Sequence, residues 1–394
     1  LEPEWEAKFE PNSYGFRPAR SAHDASEAIH TAISKKSKYV LDADIAKCFD
    51  RIDHDVLLRK LGTTPIIARQ IKMWLKSGVL DKGDWLPTEE GTPQGGVISP
   101  LLANIALHGL EEYIKKWIET LKIEGVKGRD MKRQSIAIIR YADDFVVLHK
   151  DKSVIQDAKQ LIEQWLNRLG LELKESKTRV CHTLHRTDGE VAGFDFLGWN
   201  IRQYSVGKKH TGKDSHNRSL GFKTIIKPSD ESVKTHYQKI VSVLDEMRGQ
   251  SQEAVISKLN PIIKGWTDYH RAICSKQTFK HLDNLVYNKL RRWTKRRHPN
   301  KTREWCSDRY WHRGKDERST GDNWVFSTPS DEPNSSVAGK HELRKHAWTP
   351  IVRHTKVKGD KSPFDGDWKY WSSRRGEYPD VPTRVAKLLK RQKG

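Results

Sequence analysis

Two β-prone runs, residues 136–141 and 145–148, are separated only by Ala142-Asp143-Asp144. Apolar and β-branched side chains at this density favour extended backbone, and so short a spacer leaves room only for a tight hairpin. The segment therefore predicts two antiparallel neighbours with a pair of carboxylates at the tip. Acidic residues are also ordinary turn formers, so the pair alone is equally good turn chemistry. Its meaning depends on what else the fold brings to the tip.

The pattern elsewhere places that hairpin in an α+β chain. A turn at Asn12-Ser13-Tyr14-Gly15-Phe16-Arg17-Pro18 precedes a helix from about residue 21 to 34, with Ala22, Ala25, Ala28, Ile29 and Ala32 along one side. Tyr39-Val40-Leu41 reads as a strand. Ser99-Pro100 supplies an N-cap and a first-turn proline for a helix carrying Leu102, Ala106, Leu110, Tyr113 and Trp117 at helical spacing. Another amphipathic helix follows from Val154 to Leu169, and short strands are expected at 171–173, 178–180 and 194–197. The result is a small, mostly antiparallel sheet alternating with helices. Residues 203–220 are polar, basic and rich in Gly and Ser, as an exposed loop would be. Beyond Pro228 the apolar spacing is helical for three segments, the last closing in Arg291, Arg292, Lys295, Arg296 and Arg297 before Pro299. From residue 300 onward periodicity is weak and Trp residues are scattered among basic residues, which predicts a loop-rich third module.

Charge narrows the partners. The 394 residues hold 72 Lys and Arg against 51 Asp and Glu, a formal net charge of +21. Such a surface favours polyanions, and 14 Trp residues among the cations add stacking capacity suited to nucleic acid. Cys48, Cys181, Cys274 and Cys306 are too dispersed for a disulfide scaffold or a Cys-x-x-Cys zinc site. No apolar stretch reaches bilayer length and no signal sequence opens the chain, so a soluble cytoplasmic protein without a membrane partner is expected. Leu1 in place of Met points to a start inside a longer reading frame.

Nucleotidyl transfer needs two divalent cations about 3.5 to 4 Å apart, one activating the attacking oxygen and one steadying the leaving pyrophosphate. Carboxylates suit such hard ions. Asp44, just beyond the Tyr39 strand, and the pair Asp143 and Asp144 supply them if the two segments are neighbours in one sheet. The cluster from Arg291 to His298 would repel itself unless phosphates neutralise it.

At these residues the chain resembles a family. Tyr141-Ala142-Asp143-Asp144 matches the Tyr-x-Asp-Asp signature of reverse transcriptases, and Asp42-Ala43-Asp44-Ile45-Ala46-Lys47-Cys48-Phe49-Asp50 is similar to their first catalytic strand. Gly91-Thr92-Pro93-Gln94-Gly95-Gly96 with Ser99-Pro100-Leu101-Leu102-Ala103-Asn104-Ile105 resembles the group II intron branch, as do Ser13 to Ser21, Phe196-Leu197-Gly198 and Leu259-Asn260-Pro261. The resemblance runs along essentially the whole chain. It implies a right-hand polymerase: partial fingers and palm over 1–225, a three-helix thumb or maturase domain over 226–299, and a DNA-binding region over 300–394. Family members carry further fingers segments upstream and often an HNH endonuclease downstream, so residues 1–394 correspond to a member clipped at both ends.

Carried over by position, the resemblance implies that Asp44 and Asp143 hold both of two Mg²⁺ ions with Asp144 in support, and that the Ile45 carbonyl helps on the nucleotide side. Asp42 and Asp50 are alternative ligands whose ordinary role is capping and salt-bridging. Phe49 stands where the family excludes a 2′-hydroxyl, and core packing is its other reading. Gln94 would lie against template and nucleotide, or simply form a tight turn. Lys177 corresponds to a lysine near the triphosphate, against the reading of a solvated surface residue. Arg17 and Arg20 would touch template backbone, and Arg291, Arg292, Lys295, Arg296 and Arg297 would bind RNA or DNA. The implied partners are a group II intron RNA, a DNA target, primer-template and dNTP. The implied function is RNA-directed DNA polymerase and splicing maturase acting in a ribonucleoprotein for splicing and retrohoming. A non-catalytic RNA-binding maturase and a reverse transcriptase of a defence or diversity system are the competing readings.

Overall fold

A computed structural model describes residues 1–81, 84–86, 90–92, 96–214, 216–314, 319, 321–328 and 342–375, with positions 384, 385, 388, 391 and 392. The chain divides into two compact units, one comprising Leu1–Phe194, Arg202–Thr224 and Thr355–Gly394, the other Asp195–Ile201 and Ile225–His354. No helix among the described residues is long and apolar enough to cross a membrane.

The first unit is built on a sheet whose centre is β1 (Tyr39–Ala46), apolar enough to be covered on both faces. The expected hairpin is β2 (Ala137–Tyr141) and β3 (Asp144–His149), and β3 pairs antiparallel with β1. The other edge of β1 is shared by β4 (Glu172–Leu173) and β5 (Arg179–His182), also antiparallel. Helix α1 (Ala22–Ile33) starts at a capping box in which the Asp24 carboxylate accepts from the Ser21 amide and hydroxyl, each at 2.8 Å. Helix α2 is Ser99–Leu107, α3 is Leu110–Thr120 and α4 is Lys152–Asn167. Ile105 and Ala106 of α2 and Ile155, Ala158 and Ile162 of α4 join Leu41, Ala43, Phe145 and Val147 in one core.

Two expectations change here. The single helix running from Ser99 to Trp117 is two helices, because Gly109 adopts φ 94°. Lys60 Nζ donates to Ala106 O at 2.6 Å and also to His108 O, taking carbonyls at the end of α2 that a continuing helix would use itself. Apolar spacing survives the break since both helices bury into the same core. Gln203, expected to open an exposed loop, is buried: it donates to Ile33 O at 2.7 Å and accepts from Thr183 Oγ1 at 2.6 Å. A polar side chain there satisfies buried backbone rather than solvent.

The second unit has the three expected helices, α5 (Asp230–Glu246), α6 (Gln252–His270) and α7 (Lys276–Arg297), then α8 (Arg303–Tyr310). Ile240, Leu244, Ile256, Leu259, Ile263, Leu290 and Trp293 pack with Tyr310, Trp311, Phe326 and Leu343. Residues 300–394 are therefore not one body but are divided between the units. Asn260 holds the 342–344 segment to α6, donating to Glu342 O at 2.9 Å and accepting from Arg344 N at 2.8 Å. Asp283 of α7 accepts from the amides of His346 (2.7 Å) and Ala347 (2.9 Å). From Thr355 onward the chain packs in the first unit instead, where Asp24 accepts from Val357 N at 2.8 Å and pairs with Arg374 at 3.0 Å. Weak periodicity marks this region because single side-chain bonds to distant residues, not a repeating apolar face, dock it.

Candidate active site

Strand register does the assembling. In the β1–β3 ladder Asp44 stands directly opposite Asp144, and in the β2–β3 ladder Tyr141 does. Ala142 and Asp143 make the turn between, Ala142 with φ 58°. The Ile45 amide donates to Asp143 O at 3.3 Å, and Lys174 N donates to Asp44 O at 2.8 Å, so the turn and both flanking strands are tied. Asp44 is 7% exposed, and Asp143 and Asp144 are half-buried.

Like charges directly opposite one another oppose ionisation. Burial is the larger cause here: it raises Asp143, with Asp44 adding to the rise. Asp144 is pushed up to about 6 by burial first and then by the charges of Asp143 and Asp44. A crowded set of carboxylate oxygens suits a hard cation. The donor chemistry fits a divalent metal, although among the described residues no three acidic, His or Cys side chains close round a single point. Lys177 Nζ lies 2.5 Å from Asp44 Oδ2 and is itself raised in pKa, chiefly by that hydrogen bond. Lys177 is thus at the carboxylates, with a side chain 56% exposed. Asp42 is engaged by Arg179 at 3.1 Å, which gives it the ordinary salt-bridging role.

Close backbone approach frames the site. A Cβ on Gly15 would overlap the backbone of Tyr141 and Ala142, and one on Gly91, at φ 81°, would overlap Asp50. Gly15 therefore lays the Ser13-to-Phe16 turn against the turn at Ala142 and Asp143, and Gly91 lays its segment against the short helix Cys48–Arg51. His54 Nε2 meets Gly91 O at 2.5 Å and fixes that segment from the other side. Phe49 packs on the core and meets exposed Phe16 edge to face at 6.1 Å. Gln94 lies outside the described residues.

Arg17 and Arg20 are corrected by the structure. Arg17 is buried, forking onto Glu6 (2.8 Å) with Nη1 on Glu10 O (2.8 Å) and Ser13 O (2.9 Å). Arg20 is also buried and donates to Pro11 O (2.8 Å), Gly359 O (2.8 Å) and Lys361 O (3.2 Å). Guanidinium groups with their donors so used stabilise the fold rather than meet phosphate. In the second unit, Arg291, Arg292, Lys295 and Arg296 line a groove of about 630 Å³. Arg297 turns away onto Arg248 O at 3.2 Å and the Trp293 ring at 4.7 Å. The groove also contains Lys289 and Arg303, which the sequence reading missed. The signal for Lys289 was available: Lys289, Arg292 and Arg296 share one helical face at i, i+3 and i+7.

Residues 1–201 match the family described as reverse transcriptase (RNA-dependent DNA polymerase), and residues 233–311 match the group II intron maturase-specific domain. Protein YkfC of Escherichia coli K12 is 30% identical over 229 residues, 51% of this chain and 58% of that protein. The group II intron-encoded protein LtrA of Lactococcus lactis is 29% identical over 289 residues, 59% of this chain and 46% of that protein. The chain thus spans about half the length of these curated relatives. A solved structure of apo telomerase from Candida tropicalis is similar at 16% identity with a TM-score of 0.38, covering 48% of this chain and 39% of that one. A matched polymerase domain carrying both halves of the carboxylate cluster, followed in the same chain by a matched maturase domain, settles the kinship: this is a member of the reverse transcriptase family, of the group II intron-encoded kind.

Proposed function

We propose that this protein is an RNA-directed DNA polymerase that also binds a group II intron RNA as its splicing maturase and inserts the intron into a DNA target. The observation that carries the polymerase reading is the register of β1 against β3, which sets Asp44 opposite Asp144 with Asp143 on the adjoining turn. Asp44 and Asp143 are the proposed ligands of two Mg²⁺ ions, with Asp144 and the Ile45 carbonyl in support. When bound, those ions supply activation of the primer hydroxyl and charge neutralisation at the leaving pyrophosphate.

The chain's own residues do the rest. The sheet holds the carboxylates rigidly against the primer end, which spares reorganisation during the reaction. Lys177, on an exposed stem beside Asp44, can swing to the triphosphate and neutralise it. Phe49 is backed by core side chains and braced by Phe16, so a ring under the incoming sugar would resist displacement by a 2′-hydroxyl. The first unit then corresponds to palm and partial fingers, and α5 to α7 to the thumb. Purified protein, Mg²⁺, dNTPs and a DNA primer annealed to RNA provide the test. Extension of the primer is expected, and its complete absence with every template tried would overturn the polymerase reading.

The groove of α7 and α8 is assigned to nucleic-acid phosphates. Changing Arg292 and Arg303 together to Gln should lower the slope of log affinity against log salt by about 2, because each lost phosphate contact removes about one released counterion. Binding of intron RNA measured at several salt concentrations reads this directly. An unchanged slope would place the RNA elsewhere.

A further inference from the structure

Behind the catalytic turn sits a buried cation that the chemistry above does not use. Arg140, the residue before Tyr141, is 3% exposed, and among the described residues no carboxylate lies within ion-pair distance of it. Burial accordingly drives its pKa down. Withdrawing a guanidinium from water costs several kcal/mol unless its donors are well used. They are used on three separate segments. Nη1 donates to Asn104 Oδ1 and to Ala142 O, both at 3.0 Å, and Nη2 donates to Ser13 Oγ at 2.7 Å. Asn104, 2% exposed on α2, sends its own Nδ2 to Gly15 O at 2.8 Å. The Arg140 backbone adds two bonds, its amide to Asn12 O and its carbonyl from Tyr14 N, each at 2.9 Å.

Apart from the bond to Asn104 on α2, every one of these contacts ends on the catalytic turn or on residues 12–14 of the loop before Gly15, and Asn104 itself reaches that loop at Gly15 O. Ala142 is held at φ 58°, a conformation an L side chain adopts only when its surroundings over-determine it. The carbonyl that Arg140 grips is that of Ala142, immediately before Asp143. We infer that Arg140 and Asn104 are positioning residues for polymerisation: a buried clamp that fixes the Tyr141-to-Asp144 turn, and so the aim of its carboxylates, to α2 and the Ser13-to-Phe16 loop. The inference rests on the polymerase reading. It also gives the Asn of the Ser99-to-Ile105 segment a job no apolar side chain could perform, since its carboxamide both accepts from Arg140 and donates to Gly15 O.

Two variants of the full chain test the clamp. Arg140→Lys keeps the charge but lacks the planar fork that spreads these bonds over Nη1 and Nη2, and Asn104→Ala keeps the cation while cutting both amide bonds. Each should lower kcat for single-nucleotide addition by about a hundredfold, the cost of misplacing reacting groups by about an ångström, with KM for dNTP held within about threefold. Hydrogen exchange should accelerate in residues 12–16 and 141–145 and leave α4 unchanged. If Arg140→Lys does not fold, Asn104→Ala decides. A folded Asn104→Ala protein with kcat within about threefold of wild type, or with its loss carried by KM, overturns the clamp. If wild-type protein makes no DNA, the polymerase reading has failed separately, and unchanged exchange in 141–145 would then reject the clamp on its own.

Discussion

Asp143→Ala is expected to reduce primer extension by at least about a thousandfold while leaving the protein as stable as before, or slightly more so. The rate loss follows from removing a ligand proposed to be shared by both metal ions, whose stabilisation of transition-state charge is worth several kcal/mol at about 1.4 kcal/mol per decade of rate. The stability follows from repulsion. Asp144 is pushed up to about 6 partly by the charge of Asp143, so deleting that charge relieves its neighbour. Intron RNA binding through the α7 groove should be untouched, because that surface shares no residue with the carboxylate cluster. Primer extension, thermal unfolding and RNA binding on one preparation separate these effects. Synthesis that persists in Asp143→Ala would remove the carboxylates from the mechanism.

Glu6→Ala should cost about 3 to 5 kcal/mol in unfolding free energy, large for one substitution. The Arg17 and Glu6 side chains are each 1% exposed, and removing the carboxylate leaves a guanidinium buried with only two carbonyls for company. Arg17→Ala should be destabilising too, and should not alter the salt dependence of RNA binding as loss of a phosphate contact would. Denaturant titrations of both variants settle the point. A loss under about 1 kcal/mol for Glu6→Ala would mean that water reaches the pair.

What could be read from sequence was what neighbouring residues decide. The hairpin at Asp143 and Asp144, the strand ending near Asp44 and the three helices of the second unit all announce themselves through local spacing, and the register that joins Asp44 to Asp144 follows once those strands pair. What could not be read depended on partners far away. Arg17 and Arg20 looked like surface cations because charge is visible in sequence, whereas Glu6 and the carbonyls of Gly359 and Lys361 that absorb them are not visible as partners. The break at Gly109 was hidden because α2 and α3 bury into one core and keep the apolar rhythm. Arg140 passed as one more residue of a β-prone run, since its role exists only where Ser13, Asn104 and Ala142 meet.

The Asp24 carboxylate starts α1 and also receives Val357 N and Arg374, across sequence separations of 333 and 350 residues. During synthesis α1 must therefore wait for Val357 and Arg374 before its cap is complete. Closing so long a loop carries an entropic cost that only late contacts repay. The first unit is accordingly completed only after residues 225–354, most of the second unit, have already been made.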